Sequence, residues 1–341
     1  MSCCYPETQF NSFIFPPIVR PCSVGIGQKV HGRIIKCGLD SDTVVQTSLL
    51  TMLDSDTVIQ TSLLTMYGET TSLSNAKKIA QLHASILKLD SLRPSKEVNS
   101  LFTQLVKLCI LPSSIDIEAL PQEIQAIRKS LIVLCGRAEG LLELEFATFL
   151  TKIPQPLENL NVFPYYGNYV KLANMEYKIL HDNGAVQPKK IAFVGSGPMP
   201  LTSLIMANHY FTSAHFDNFD VDEKANDVAR RIVSNNAELE KRMKFHTSDI
   251  VEVKEKIKEY DCIFLAALVG MNKQDKVKIL GHIRKHMKEG GFLLVRSAKG
   301  ARAFLYPVVE EDDMIGFEVL TIFHPTDDVI NSVVLARKPA Y

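Results

Sequence analysis

Hydrophobic positions along this chain follow two different periods. From Lys77 to about Asn183 they recur at helical spacing. Ile79, Ala80, Leu82, Ile86 and Leu87 form one stripe of Lys77–Lys88, Ser95 opens a second helix that runs to Leu108, and Glu123–Phe149 reads as one long amphipathic helix. Pro112-Ser113-Ser114 makes a turn, Pro154, Pro156 and Pro164 break the next stretch, and Asn168–His181 forms a further helix closed by Asn183-Gly184. Beyond that point short apolar runs alternate with helical segments. The runs are Ile191–Val194, His215–Phe219, Met243–His246, Asp261–Leu268 and Phe292–Val295. Phe317–Phe323 and Ile330–Ala336 close the chain as two strands with no helix between them. Alternating strands and helices imply an α/β fold with a mostly parallel, doubly wound sheet, and the last pair suits an antiparallel edge. The expected organisation is an all-α domain over residues 76–185 and a sheet domain over 186–341.

Residues 1–75 fit neither regime. Asp40–Leu53 (DSDTVVQTSLLTML) returns as Asp54–Tyr67 (DSDTVIQTSLLTMY), with 12 of 14 positions identical. Each copy offers a polar N-cap followed by a Val/Leu/Met stripe, so each predicts a short helix. The surrounding text, GQKVHGRIIKCGLDSDTVVQTSLLTMY, resembles a pentatricopeptide repeat, a helical hairpin used for RNA binding. The likeness spans about one repeat, and a single solenoid unit cannot bury its own apolar face. The segment is therefore expected as a repeat-like extension, its order left open by the pattern, without an RNA role.

Composition narrows the classes. Across 341 residues, 38 basic and 38 acidic side chains balance, which argues against a protein built to grip phosphate backbones. No apolar run approaches the length of a membrane span. Seven scattered cysteines without a C-x-x-C read as reduced thiols, so no disulfide frame or zinc site is expected. The first twenty residues lack a signal-peptide layout, and a cytoplasmic location is expected, with a weaker organelle-targeting reading left by their few acids. His282 and His286 share a helix face, but no third ligand accompanies them, so a solvated surface is expected and no metal.

The chemistry gathers where strands end. Gly195-Ser196-Gly197 follows the first strand, giving a sharp turn and close access to the main chain ahead of a helix. Pro200 stands where the nicotinamide fingerprint wants its third glycine, and Pro198 stiffens the loop, which favours a nucleoside–amino-acid cofactor over a pyrophosphate. Asp220, 23 residues beyond Gly197, ends the second strand where a carboxylate can accept ribose hydroxyls. Asp249 ends the third, within reach of an adenine amino group. Ala267 and Leu268 sit in a small-residue stretch after the fourth. Three such strand ends together imply S-adenosylmethionine and a class I methyltransferase-like (Rossmann-like) sheet. Arg296 ends the fifth strand, where it can clamp a substrate carboxylate or pair with Glu310 or Asp312; Arg302 and Tyr306 follow.

Residues from about Ile79 to Lys338 resemble nicotianamine synthase. The matching text is RPSKEVNSLFTQLVKLC, NVFPYYGNYVKL, IAFVGSGPMPLTSLIMA, FDNFDVD, FHTSD, YDCIFLAALVGM, RSAKGARAFLYPVV and HPTDDVINSVV. The family's usual start gives way to the repeat-like segment, and Lys299 stands where many relatives carry histidine. The resemblance implies that three S-adenosylmethionine molecules are consumed as substrate, each donating its aminocarboxypropyl arm and releasing methylthioadenosine. The product would chelate iron, zinc, copper or nickel, with no metal in the protein and no nucleic-acid partner. The alternative on the same fold is a small-molecule methyltransferase. An attacking amine needs a base. Glu139, Glu143 and Glu145 punctuate an apolar stretch, and Glu139 and Glu143 share a face at a spacing of four. Tyr165, Tyr166 and Tyr169 follow. By resemblance, Glu143 is the expected base, with Tyr166 and Tyr169 as its partners.

Overall fold

A computed structural model describes residues 75–111 and 115–340. The repeat at Asp40–Tyr67, with its likeness to a helical hairpin, lies outside the described residues. Helix α1 (residues 75–86) carries the Ile79/Ile86 stripe. Helix α2 (Lys96–Cys109) begins at Ser95, whose hydroxyl accepts from the Val98 amide at 3.2 Å. Helix α3 (Gln122–Leu150) runs 29 residues, about 43 Å at 1.5 Å per residue. Its buried face is Leu131, Cys135, Ala138, Phe146 and Leu150, with one carboxylate, Glu143, among them. Helix α4 (Tyr166–Asp182) follows the proline-rich break.

Seven strands form one sheet: β1 (Lys190–Val194), β2 (His215–Asp220), β3 (Met243–Thr247), β4 (Cys262–Leu265), β5 (Phe292–Ser297), β6 (Glu318–Phe323) and β7 (Ser332–Arg337). Their order is β3-β2-β1-β4-β5-β7-β6. The first five pair in parallel, and β7 slots antiparallel between β5 and β6. Helices α5 (Leu201–Ile205), α6 (Glu223–Val233), α7 (Ala237–Arg242) and α8 (Lys273–His286) connect the strands. The doubly wound reading and its antiparallel edge therefore hold. β4 is shorter than its apolar run, because Val269 N–H donates back to Ala266 O at 3.2 Å and Gly270 takes a φ of +75°, turning the chain out of the sheet.

Register sets the site. Val194 lies level with Phe219 on one side and Leu265 on the other, so the loops after β1, β2 and β4 emerge together. The strand order reverses between β1 and β4, which is where open α/β sheets bind ligands. One core packs Ala192, Val194, Phe219, Ile263 and Leu265 against Ile279 and Ile283 of α8. A second joins Ile79, Leu105, Leu131 and Cys135 of the helical segment to Ala301, Phe304 and Leu305 after β5. Residues 76–341 thus form one compact unit in which helices and sheet share apolar contacts. Phe304 is fully buried in that second core. Phe304→Ala is expected to cost about 3–5 kcal/mol, read as a lowered denaturant midpoint with an unchanged m-value.

Candidate active site

The loop after β1 is shaped by backbone that only glycine accepts comfortably. Gly195 and Gly197 sit at φ +81° and +64°, and each is also closely approached. A Cβ at Gly195 would fall 2.3 Å from Val269 Cγ2, and one at Gly197 would fall 2.8 Å from Glu143 Oε2. The Gly195 and Ser196 amides donate to Phe219 O at 2.8 and 3.2 Å, tying the loop to the end of β2. Asp220 completes that tie. Its Oδ2 accepts from Gly197 N–H at 2.8 Å and its Oδ1 from Asp222 N–H at 2.9 Å. Asp249 caps a short turn by accepting from Val251 N–H at 3.1 Å.

These strand ends open onto a cavity of about 960 Å³. Gly195, Ser196, Gly197, Pro198, Asp220 and Asp249 line one side, and Ala267 and Leu268 line another. Across from them stand α3, with Glu139 and Glu143, and the side chains of Tyr169, Arg296 and Tyr306. The sequence-predicted residues are thereby brought together, with one departure. Tyr166 begins α4, half-buried, and does not line the cavity. One helical turn carries Tyr169 inward and leaves Tyr166 behind.

Glu143 and Glu139 share the Tyr169 hydroxyl, which donates to Glu143 Oε1 at 2.8 Å and reaches Glu139 Oε1 at 3.5 Å. Tyr306 donates to Glu139 Oε2 at 2.9 Å. Both Glu139 oxygens therefore meet phenols, whereas Glu143 keeps Oε2 turned toward Gly197. Burial, reinforced by the Glu139 charge, pushes the Glu143 carboxyl up to about 8, against the pull of Tyr169 and Arg296. Burial also raises Glu139, opposed by Tyr306, Arg296 and Tyr169. Both phenols are held well above their ordinary range, first by burial and then by these carboxylates, so they donate and do not ionise. Glu145 lies on the exposed face of α3, which removes it as a base.

Arg296 is not paired with Glu310 or Asp312. Its Nε and an Nη donate to Glu176 of α4 at 2.7 and 3.1 Å, and an Nη donates to Thr202 Oγ1 at 2.7 Å. Glu176 is fully buried and Arg296 nearly so. The guanidinium also rests 5.3 Å from the Phe193 ring centre. Glu176 carries a signal in the sequence, as the one acid in the stripe Leu172, Ala173, Ile179, Leu180, but its partner is not readable there. The partner of Tyr306 is likewise hidden from local pattern, because Glu139 lies 167 positions away.

Among the described residues no three His, Cys, Asp or Glu side chains are grouped to hold a metal ion, and no helix is long and apolar enough to cross a membrane. His282 Nε2 donates to Val253 O at 2.7 Å. Cys109, Cys135 and Cys262 are buried free thiols. Fit to a sulfonium nucleoside rests on the close-packed glycine loop and on Ser196, whose buried hydroxyl lines the cavity without a hydrogen-bond partner.

Comparison with known proteins adds an independent line. A family model described as nicotianamine synthase protein matches residues 69–341. Nicotianamine synthase of Solanum lycopersicum is 52% identical over 262 residues, spanning 77% of this chain and 83% of its own. Nicotianamine synthase 3 of Arabidopsis thaliana is 51% identical over 263 residues, spanning 76% and 82%. Among solved structures, a mutant of MtNAS in complex with S-adenosylmethionine matches with a TM-score of 0.65 at 22% identity, over 78% of this chain and 98% of that one. At that identity the likeness carries the fold.

A stability test follows from the Glu143 environment. An unfolded glutamate ionises near about pH 4.3 and the buried one near 8, so the folded state binds the extra proton between those values and stability falls as pH rises through that window. Glu143→Gln escapes this cost. It is expected to raise the melting temperature by about a few degrees at neutral pH and to leave it unchanged near about pH 4. Melting curves across that range check it.

Proposed function

The chain belongs to the nicotianamine synthase family, and on that premise we propose that this cavity performs the family's reaction. Three S-adenosylmethionine molecules are condensed into nicotianamine, each transfer releasing methylthioadenosine. The observation that supports this most directly is the placement of Glu143 Oε2 against Gly197. A base set on the cofactor loop itself suits attack at the carbon chain of the sulfonium. The cavity's about 960 Å³ lies at the upper end for small-molecule sites, in keeping with a donor and an amine acceptor held together.

S-adenosylmethionine, when bound, supplies the electrophilic carbon beside its sulfonium. The Gly195–Pro198 loop and Asp220 receive its nucleoside and amino-acid portions, with Asp249, Ala267 and Leu268 bordering the base. Asp220 oxygens already accept from two amides, and each keeps a second lone pair for a ribose hydroxyl. Glu143 takes the proton that the acceptor amine must lose before it can attack. Tyr169 orients Glu143, and Tyr306 holds Glu139 as a second carboxyl that keeps the Glu143 proton affinity high. Arg296, neutralised on one side by Glu176, turns residual positive potential toward substrate carboxylates. Tyr166 has no part in this scheme.

In this reading residues 76–185 cover the site and residues 186–341 bind the substrate's nucleoside. The enzyme works in the cytoplasm, and iron, zinc, copper or nickel enters as cargo of the product, not as a protein metal.

Incubating the purified chain with S-adenosylmethionine alone is expected to give methylthioadenosine and nicotianamine by mass spectrometry. Binding of S-adenosylmethionine without either product would point to a methyltransferase awaiting its acceptor and overturn the reading. Glu143→Gln is expected to lower kcat by at least about 100-fold while substrate binding persists. In the wild type, kcat/KM is expected to rise with pH through about 8, as the Glu143 proton leaves. The matching limb of kcat should lie lower, because a bound cation favours the ionised carboxylate. Coincident limbs would argue against Glu143 as the titrating base.

A further inference from the structure

Lys276 of α8 is 1% exposed, and no carboxylate lies within ion-pair distance of it among the described residues. Its Nζ donates to Ala267 O at 2.8 Å and reaches Ala266 O at 3.4 Å. Burying an amine at this depth is costly unless its hydrogen bonds are made. Burial alone brings its pKa down to about 7, and both protonation states still carry the two N–H donors these contacts need.

The carbonyls it meets belong to the turn between β4 and α8, which forms one wall of the cavity. That turn is wedged on every side. Val269 fills the space beside Gly195, so close that a Cβ there would sit 2.3 Å from Val269 Cγ2. Leu268 packs on α3, its methyls 3.3 Å from the Cβ position of Gly136. Gly270, at φ +75°, lies against the Lys276 backbone, where a Cβ would fall 2.9 Å from Lys276 N. Ala266 O also receives the Val269 amide, but the described hydrogen bonds give Ala267 O only the Lys276 amine.

We propose that Lys276 is a positioning residue for substrate: its buried amine holds the Ala266–Gly270 turn in the one arrangement that meets both the glycine loop and α3, and so sets the affinity of the cavity for the sulfonium nucleoside. It touches no reacting atom. Its action runs through the turn, so its loss weakens binding and spares the chemistry at Glu143. The substrate part of this inference rests on the S-adenosylmethionine reading above; the structural part does not.

Lys276→Met keeps the length of the side chain and removes the donor, and Lys276→Gln keeps a shorter N–H donor as a milder change. Hydrogen exchange of the full chain without ligand is the first readout. Amides of the Ala267–Gly270 turn are expected to exchange about tenfold faster or more in Lys276→Met, with the central strands β1 and β4 unchanged and Lys276→Gln intermediate. Unchanged exchange in the turn overturns the proposal, and so does a uniform rise across the sheet in both variants, which would make Lys276 a global stability residue. The second readout is kinetic. KM for S-adenosylmethionine is expected to rise about tenfold with kcat within about threefold of wild type. A fall in kcat at unchanged KM overturns the positioning role. A wild type inert toward S-adenosylmethionine would instead count against the substrate reading, and the exchange comparison would still decide whether Lys276 holds the turn.

Discussion

An ion pair removed from water holds only with good hydrogen-bond geometry, and in the pair of Glu176 and Arg296 both carboxylate oxygens accept from the guanidinium while a third N–H goes to Thr202. It joins α4 to the carboxyl end of β5 across 120 positions of sequence. Taking away either partner would leave a buried charge uncompensated, a loss of about 3–5 kcal/mol. The rest of the site hangs from this junction. Tyr169 lies two helical turns before Glu176 on the same face of α4, so docking the one aims the other. Tyr169 then fixes Glu143, and Glu143 meets the glycine loop.

Stability and chemistry pull against each other at the carboxyls of α3, on which the Arg296 charge also acts. Two carboxyls on adjacent turns of α3 are buried together, where water would serve both better. The phenols of Tyr169 and Tyr306 satisfy part of their demand, and the shared low-polarity setting raises Glu143 into the range where it can both hold and release a proton near neutrality. The apolar core that α3 shares with Phe304 and its neighbours offsets the cost.

At the glycine loop one side chain both shapes the backbone and lines the cavity. The position of Asp220 at the end of a strand, 23 residues beyond Gly197, is legible in the sequence. Its bonds to the Gly197 and Asp222 amides were not legible, because they depend on how the loop after β1 curls back toward β2. Asp249 likewise combines a cavity position with a turn cap.

Apolar periodicity, turn residues and the spacing of Gly195, Gly197 and Asp220 determined the strand–helix alternation, the antiparallel finish and the gathering of these three residues at the strand ends that line the cavity. All of these are read between near neighbours in sequence, where backbone geometry imposes fixed periods. Tertiary structure alone decided which tyrosines serve the carboxylates, excluding Tyr166 and admitting Tyr306, and which acid balances Arg296. It also turned Glu145 to the exterior and enclosed Lys276 against two carbonyls. Partner choice of this kind joins positions far apart in the chain, and a hydrogen bond forms or fails within a fraction of an ångström, a distance that only the packed fold sets.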